Sequence, residues 1–442
     1  MIDSTRRFAV AALMFTLGTT GAAQSPPAPA DPPGSGPSNS ELIEEIRRLR
    51  ERVESLEQSA RNASTLPSAA DIERAKAAIN DDVARKAAAR NVTVTYDRGL
   101  RFATQDGSFS LRPGIGAQFR YVAVSGGDGT DDESGFELRR IRPRIQGNAL
   151  TKDLTFDFVL DANRNGGNVT LLDANGTYAF SPDWSLKFGQ YKQAFSREGA
   201  VSDMQQMAVD RSLPDAFLGS SDVDRVQGLA LIFGGGPRPV RIETSFSDGV
   251  GSKNTDFRST GPNFGVGTRA DVKLAGDWDA ARDFSSKATK NTLFIFGGGF
   301  DITQADALDT YRSVVDAQFE TPNGWSLYGA GYGKFLAGGE SNADYGALGQ
   351  VAYLVAPAWE AFARYGVIFF DEVAPSASST VQEITAGVNY YFGPQGSFHH
   401  AAKMTLDVGY LPDGVPNTAT GLGYLRSTGE QFVLRLQFTF QL

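Results

Sequence analysis

Apolar and polar side chains alternate along Phe432-Val-Leu-Arg-Leu-Gln-Phe-Thr-Phe-Gln-Leu442. Phe432, Leu434, Leu436, Phe438, Phe440 and Leu442 fall on one parity, and Arg435, Gln437, Thr439 and Gln441 take most of the other. Side chains alternate across a strand, so this stretch presents one apolar face and one polar face. A soluble sandwich could use such a strand. A barrel in a membrane, apolar toward lipid and polar toward a wet lumen, suits a terminal strand better.

The same period of two recurs upstream. Runs of about ten alternating residues separated by turn residues predict sixteen strands, at about 109–124, 135–149, 153–163, 169–180, 184–195, 223–234, 239–248, 264–275, 290–301, 311–320, 325–334, 345–355, 359–370, 381–392, 401–411 and 430–442. The expected fold is all-β, a 16-stranded antiparallel transmembrane β-barrel over 109–442, and an even count returns both ends to one side. Links at 181–183, 321–324 and 356–358 are short, whereas those at 125–134, 196–222, 249–263 and 412–429 are mostly longer. This alternation is what outer-membrane barrels show, with short periplasmic turns. The link at 276–289 breaks the pattern, being long and charged on the short side. Segment 196–222 is the longest, and a loop of that length is expected to have a task. It either folds into the lumen and sets the bore or forms an external flap.

The N-terminal region reads differently. Arg6 and Arg7 precede the apolar run 8–17, and Gly21-Ala22-Ala23 offers small residues for cleavage, so 1–23 is expected to be a signal peptide. Residues 24–40, rich in Pro, Ala, Gly and Ser, form a flexible linker. Leu42, Ile46, Leu49, Val53 and Leu56 are spaced 4, 3, 4, 3, the seam of a short coiled coil over 41–60 or of a lone amphipathic helix. Ile and Val at one seam position with Leu at the other lean toward two strands. Residues 61–108 are expected to be helical or irregular and, like the linker and coiled coil, periplasmic.

Composition narrows the function classes. Mean hydropathy is -0.25, and no long apolar run follows the N-terminus, so no helical span is expected. There are no cysteines, which removes disulfides and thiolate metal sites, and the formal charge of -9 argues against a nucleic-acid partner. His399 and His400 are the only histidines and are adjacent, so neither a metal site nor a Ser-His-Asp triad is expected. The triple glycines 234–236 and 297–299 lack a following Gly-Lys-Ser/Thr and are not phosphate loops. No cofactor and no enzymatic activity are expected.

Parity selects the residues that face the lumen. In the second strand Phe136 and Leu138 share one parity while Ile141, Pro143 and Ile145 share the other. A bulge near Arg139-Arg140 reconciles them, because one extra residue flips the face. Arg140, Arg142 and Arg144 then form a basic ladder about 6–7 Å apart per step, from a rise of roughly 3.3 Å per residue. Arg120, Lys187, Arg269, Arg364 and Arg435 also fall on polar faces, and Lys192 lies near one strand end. Asp157, Asp161, Asp173, Glu243, Asp271, Asp316, Glu360, Glu383 and Asp407 share that parity, and 126–133 is an acidic loop. Charges of both signs are consistent with a broad pore as well as an anion-preferring one.

Several segments resemble the phosphate-selective porin O and P family. Phe136-Glu-Leu-Arg-Arg-Ile-Arg-Pro-Arg144 is similar to its early arginine-rich strand, and Lys187-Phe-Gly-Gln-Tyr-Lys-Gln-Ala-Phe-Ser196 to its GQxKxPFS strand end, with Ala194 where proline is commoner. Gly349 to Tyr353 with Trp359 to Tyr365, then Gly387-Val-Asn-Tyr-Tyr-Phe392 followed by Lys403 to Asp407, resemble later family strands in the same order. The resemblance spans roughly 107 to 442. It implies a homotrimer in the outer membrane and passive diffusion of small hydrophilic solutes, with anions of the phosphate type preferred. On that reading Arg140, Arg142, Arg144, Lys187, Lys192, Arg269, Arg364 and Arg435 are the pore-lining, anion-binding candidates. Many members end in Phe, and Leu442 departs from that. The alternative is a structural outer-membrane barrel that tethers envelope layers through its linker and coiled coil.

Overall fold

Alternating strands close into a ring in the computed structural model, which describes residues 39–62, 69–90, 92–96, 99–126, 132–162, 167–257, 264–305, 308–338, 342–371, 378–415, 421–425, 427 and 429–442. The signal peptide expected at 1–23 and nearly all of the linker at 24–40 lie outside the described residues. The chain divides into two units, residues 1–80 and 81–442. Two helices come first, α1 (Asn39–Asn62) and α2 (Ala69–Arg90). Ile46, Leu49, Val53 and Leu56 of α1 are all exposed, so the expected seam is an apolar stripe on the helix surface.

A short hairpin, β1 (Val92–Tyr96) and β2 (Leu100–Thr104), precedes the ring. A helical or irregular segment is what the sequence predicts here, and the structure corrects it. The alternation Val92-Thr-Val-Thr-Tyr96 is β-branched and aromatic, which favours pleated backbone, and β2 pairs with the next strand through Phe102 and Ala103.

The ring itself runs β3 (Ser110–Gly126), β4 (Glu133–Asn148), β5 (Leu154–Ala162), β6 (Val169–Ala179), β7 (Trp184–Lys192), β8 (Arg225–Gly234), β9 (Val240–Ser247), β10 (Phe264–Ala275), β11 (Leu293–Gln304), β12 (Asp309–Glu320), β13 (Trp325–Ala337), β14 (Asn342–Ala356), β15 (Trp359–Phe369), β16 (Thr380–Tyr391), β17 (Ala402–Leu411) and β18 (Gln431–Gln441). Among the described residues these sixteen strands pair antiparallel with their sequence neighbours, and β18 pairs with β3 from Gln431↔Gly126 to Gln441↔Gly116. The barrel is closed. Each expected strand has its counterpart, with ends displaced by at most a few residues. Closure satisfies every ladder hydrogen bond without a free edge, the condition for strands in hydrocarbon.

Burial is inverted relative to a soluble protein. On β18, Phe432, Leu434, Leu436 and Phe438 are 40–50% exposed, whereas Arg435, Gln437 and Thr439 are at most 1% exposed. Leu406 and Val408 on β17 point outward, and Lys403, Thr405 and Asp407 point in. The expected bulge is present on β4: Gln118 pairs with Arg140 and Phe119 with Leu138, which skips Arg139. Phe136 and Leu138 before it and Ile145 after it are therefore all exposed outside.

Candidate functional site

The segment between β7 and β8, residues 193–224, lies inside the barrel. It carries α3 (Arg197–Ala200), α4 (Leu213–Leu218) and α5 (Ser220–Val223). Ser196 and Ser212 cap the first two, each hydroxyl accepting from a backbone N–H of the first turn, Gly199 and Asp215 respectively. Val201, Met207, Ala208, Val209, Leu213 and Leu218 are at most 2% exposed. All but Val209 pack in one cluster with inward apolar residues of the wall, among them Tyr328, Leu348, Phe362 and Ile368.

Polar contacts tie the segment to the wall. The Val209 N–H donates to Asp407 on β17 at 2.9 Å, and the Leu213 N–H to Glu383 on β16 at 2.9 Å. Asn389 donates to the Met207 carbonyl at 3.0 Å, Arg364 to the Asp210 carbonyl at 2.9 Å, and Arg269 to the Phe195 carbonyl at 2.6 Å. The Arg197 N–H donates to Asp316 on β12 at 2.8 Å. On the other side Arg120, Arg139 and Arg140 all pair with the Asp210 carboxylate. Burial alone would raise that carboxyl, but the arginines hold it well below the usual range. Gly366 leaves room for the segment, since a Cβ there would stand 2.8 Å from Pro214.

A second segment enters from the end with the short links. Residues 276–292, the long link between β10 and β11, bury Asp283, Phe284, Ser285 and Ser286. The Phe284 ring stands 4.6 Å from that of Tyr328, and Ser285 donates to Glu360 at 3.0 Å. Gln318 touches both insertions, accepting from Arg197 at 2.7 Å and donating to the Asp283 carbonyl at 2.6 Å. This is why the link broke the short-turn rule: it is a second plug.

Space remains on one side, between segment 193–224 and the wall from β4 to β8. Two cavities of about 360 Å³ each lie there. The first opens toward the end bearing Leu442, and Arg142, Arg144, Lys187, Lys192, Arg211 and Arg225 face Asp157, Asp173 and Asp203 around it. The second lies toward Asp224 and Leu422, where Arg139, Arg140, Arg142, Lys192, Arg211 and Arg225 face Asp203 and Asp224. Arg142, Lys192, Asp203, Arg211 and Arg225 line both. At their meeting point four cations surround one carboxylate.

Most of these cations have partners. Arg142 pairs with Asp161 at 3.0 Å and with Asp203, which Arg211 also holds. Arg225 bridges Asp173 at 3.1 Å and Asp224 at 2.8 Å. Lys192 donates to the Gly199 carbonyl at 2.7 Å, a neutral partner. Arg144 pairs with Asp157 at 2.6 Å yet stays 49% exposed, and Lys187 pairs with Glu243 at 2.7 Å.

Of the residues expected from the sequence, Arg140, Arg142, Arg144, Lys187 and Lys192 stand around the two cavities. Arg269, Arg364 and Arg435 stand elsewhere. Arg269 is closed in by Asp271 and Asp316, Arg364 by Glu383, and Arg435 by Asp407, each at most 3% exposed. They brace segment 193–224 from behind. Strand parity missed Arg211 and Asp203, because both lie on the inserted segment, where no period of two applies. Arg225 opens β8 on the parity of the outward-facing Leu229 and Leu231, so strand parity missed it as well.

Comparison with known proteins gives the same fold. Residues 110–270 match the family model described as phosphate-selective porin O and P, a span that holds β3 to β9, the inserted segment and the basic residues beside it. The resemblance read from the sequence holds. The barrel resembles those of porins. The later motifs, from Gly349 onward, lie beyond the matched span. No curated protein matches the chain. Among solved structures, the anion-selective porin from Comamonas acidovorans superposes with a TM-score of 0.53 at 11% identity, over 76% of this chain and 100% of that one. The outer membrane channel DcaP of Acinetobacter baumannii gives 0.51 at 12%, over 75% and 98%, and OprB of Pseudomonas putida 0.51 at 9%, over 75% and 94%. At such identities the likeness is one of fold, the fold of outer-membrane channels.

Proposed function

We propose that this porin passes small hydrophilic solutes with a preference for anions, and that they cross beside segment 193–224 through the ring formed by Arg142, Lys192, Arg211 and Arg225. The carrying observation is the excess of cations where the two cavities meet. A constriction with low-dielectric walls focuses the field of its charges, and rings of Arg or Lys favour anions. Lys192 carries the reading furthest, because its hydrogen-bond partner is a neutral carbonyl rather than a carboxylate. Arg140 and Arg139 would draw anions in from one side and Arg144 and Lys187 release them on the other. The description of the matched family, phosphate-selective, points the same way.

On this reading the N-terminal region is periplasmic, the long loops face outward, and the chain works as a homotrimer, with the α1 seams of neighbouring copies covering one another. The test is single-channel recording across a salt gradient. Neutralising Lys192, Arg225 or Arg142 singly to Gln or Met should move the reversal potential toward cations, with Lys192 giving the largest shift. Neutralising Arg140, Arg142 and Arg144 together should also lower chloride or phosphate conductance. Reversal potentials that stay put in all of these variants would end the proposal.

A further inference from the structure

The chain's two histidines meet a carboxylate that the sequence places far away. His399 and His400 sit in the link between β16 and β17, and Asp283 sits in the inserted link 276–292. One ligand atom from each lies within 4.8 Å of the others. His400 Nε2 stands 3.4 Å from Asp283 Oδ2. Three imidazole nitrogens, His399 Nε2 and both of His400, are buried and have no hydrogen-bond partner. Buried polar atoms are nearly always satisfied, and an orphan in a folded protein calls for a bound water or ion.

We propose that Asp283, His399 and His400 bind a divalent transition-metal cation of the Zn²⁺ class. The donor set fits that chemistry: two imidazoles and a carboxylate leave a fourth position for water. A tetrahedral ion with bonds of about 2.1 Å sets its ligands roughly 3.4 Å apart, the separation found between His400 and Asp283.

The surroundings prepare the ligands. Asp283 Oδ1 accepts from the Ser285 N–H at 2.7 Å, which orients the carboxylate and leaves Oδ2 available. His399 has φ of +48°, a left-handed conformation unusual for a side-chain-bearing residue. That backbone sets the adjacent rings side by side with centroids 4.1 Å apart, where an extended backbone would point them to opposite faces. Tyr391 stands edge-on to both rings, at 5.0 and 5.6 Å. Glu360 accepts from Ser285 and Tyr391 nearby, and Lys403 and Lys287 add positive charge, with Lys403 held by the Gln206 carbonyl. A cavity of about 330 Å³ is lined by both histidines. Once bound, the cation joins the inserted link to the β16–β17 link, as Lys287 does through the Gln395 carbonyl at 2.9 Å.

The experiment uses the untagged full chain, folded in detergent and stripped with chelator. Calorimetric titration with Zn²⁺ should give one strong site per chain, and His399→Gln and Asp283→Asn should each weaken it at least about tenfold. Zn²⁺ should raise the thermal midpoint of the wild type and leave both variants unmoved. Heat-modifiable electrophoretic mobility checks that the variants are folded. A second measurement needs no variant: Zn²⁺ should protect the two histidines from diethylpyrocarbonate. Affinity unchanged in both variants, or modification at the same rate with and without Zn²⁺, overturns the assignment.

Discussion

Arg142 on the barrel wall and Arg211 on the inserted segment share one carboxylate, that of Asp203. The pairing stitches segment to wall beside the passage and cancels one of the charges there. Burial would raise the Asp203 carboxyl, but Arg211, Arg140, Arg142 and Lys192 hold it well below its usual range, so it stays ionised. Asp203→Asn should therefore increase the preference for anions in reversal-potential measurements. An unchanged reversal potential would mean that Asp203 plays no part in selecting ions.

The anchors on the far wall should control bore rather than charge preference. Asp407 accepts from the Val209 N–H and pairs with Arg435, with Nε to Oδ1 at 2.7 Å and Nη2 to Oδ2 at 3.1 Å. Asp407→Ala leaves Arg435 buried without its partner, a loss on the order of 3–5 kcal/mol. The expected outcome is a noisier, larger single-channel conductance and a lower temperature of mobility shift on gels. Conductance identical to wild type would show that the segment holds its place without this strand.

The second plug can be probed at Phe284, 1% exposed and seated on Tyr328. Truncation of a buried Phe costs roughly 3–5 kcal/mol. Phe284→Ala should loosen link 276–292 and raise conductance while leaving the reversal potential alone, because no charge changes. Altered ion preference in this variant would place the link in the conducting path.

The segment should also respond to pH through Glu198. Burial, with Asp215 beside it, pushes this carboxyl up from 4.5 to about 7 against the opposing pull of Arg364 and the Ser212 hydrogen bonds. A carboxyl whose folded value is raised binds its proton more tightly in the folded state. Its contribution is complete below about 4.5 and is lost as pH climbs through about 7. Thermal stability should fall between pH 5 and pH 8, and Glu198→Gln should flatten that part of the profile. A variant with the wild-type slope would assign the pH response to another group.

The strands of this barrel were legible because lipid and water impose opposite demands on alternate side chains. Phe432 and Leu434 must face hydrocarbon, so Arg435 must face inward, and sixteen such runs suffice to lay out the wall. Even the bulge at Arg139 was readable, since Phe136 and Ile145 could not otherwise share the outer face. The inserted segments obey no such period. Inward apolar residues such as Tyr328, Leu348 and Phe362 were a usable clue, because an open aqueous lumen has no reason to hold them.

Residue order along the chain, through the dyad repeat alone, determined the barrel, its strand count and which arginines face inward. Tertiary structure decided what those arginines do. Segments 193–224 and 276–292 arrive from opposite ends; Arg269, Arg364 and Arg435 pair with wall carboxylates, and the first two hold carbonyls of segment 193–224, so all three become braces. Arg142 and Lys192, with Arg211 and Arg225, are left beside the space that remains. Pairing of buried charges depends on distances of a few ångströms between residues far apart in the chain, and no local pattern encodes those distances.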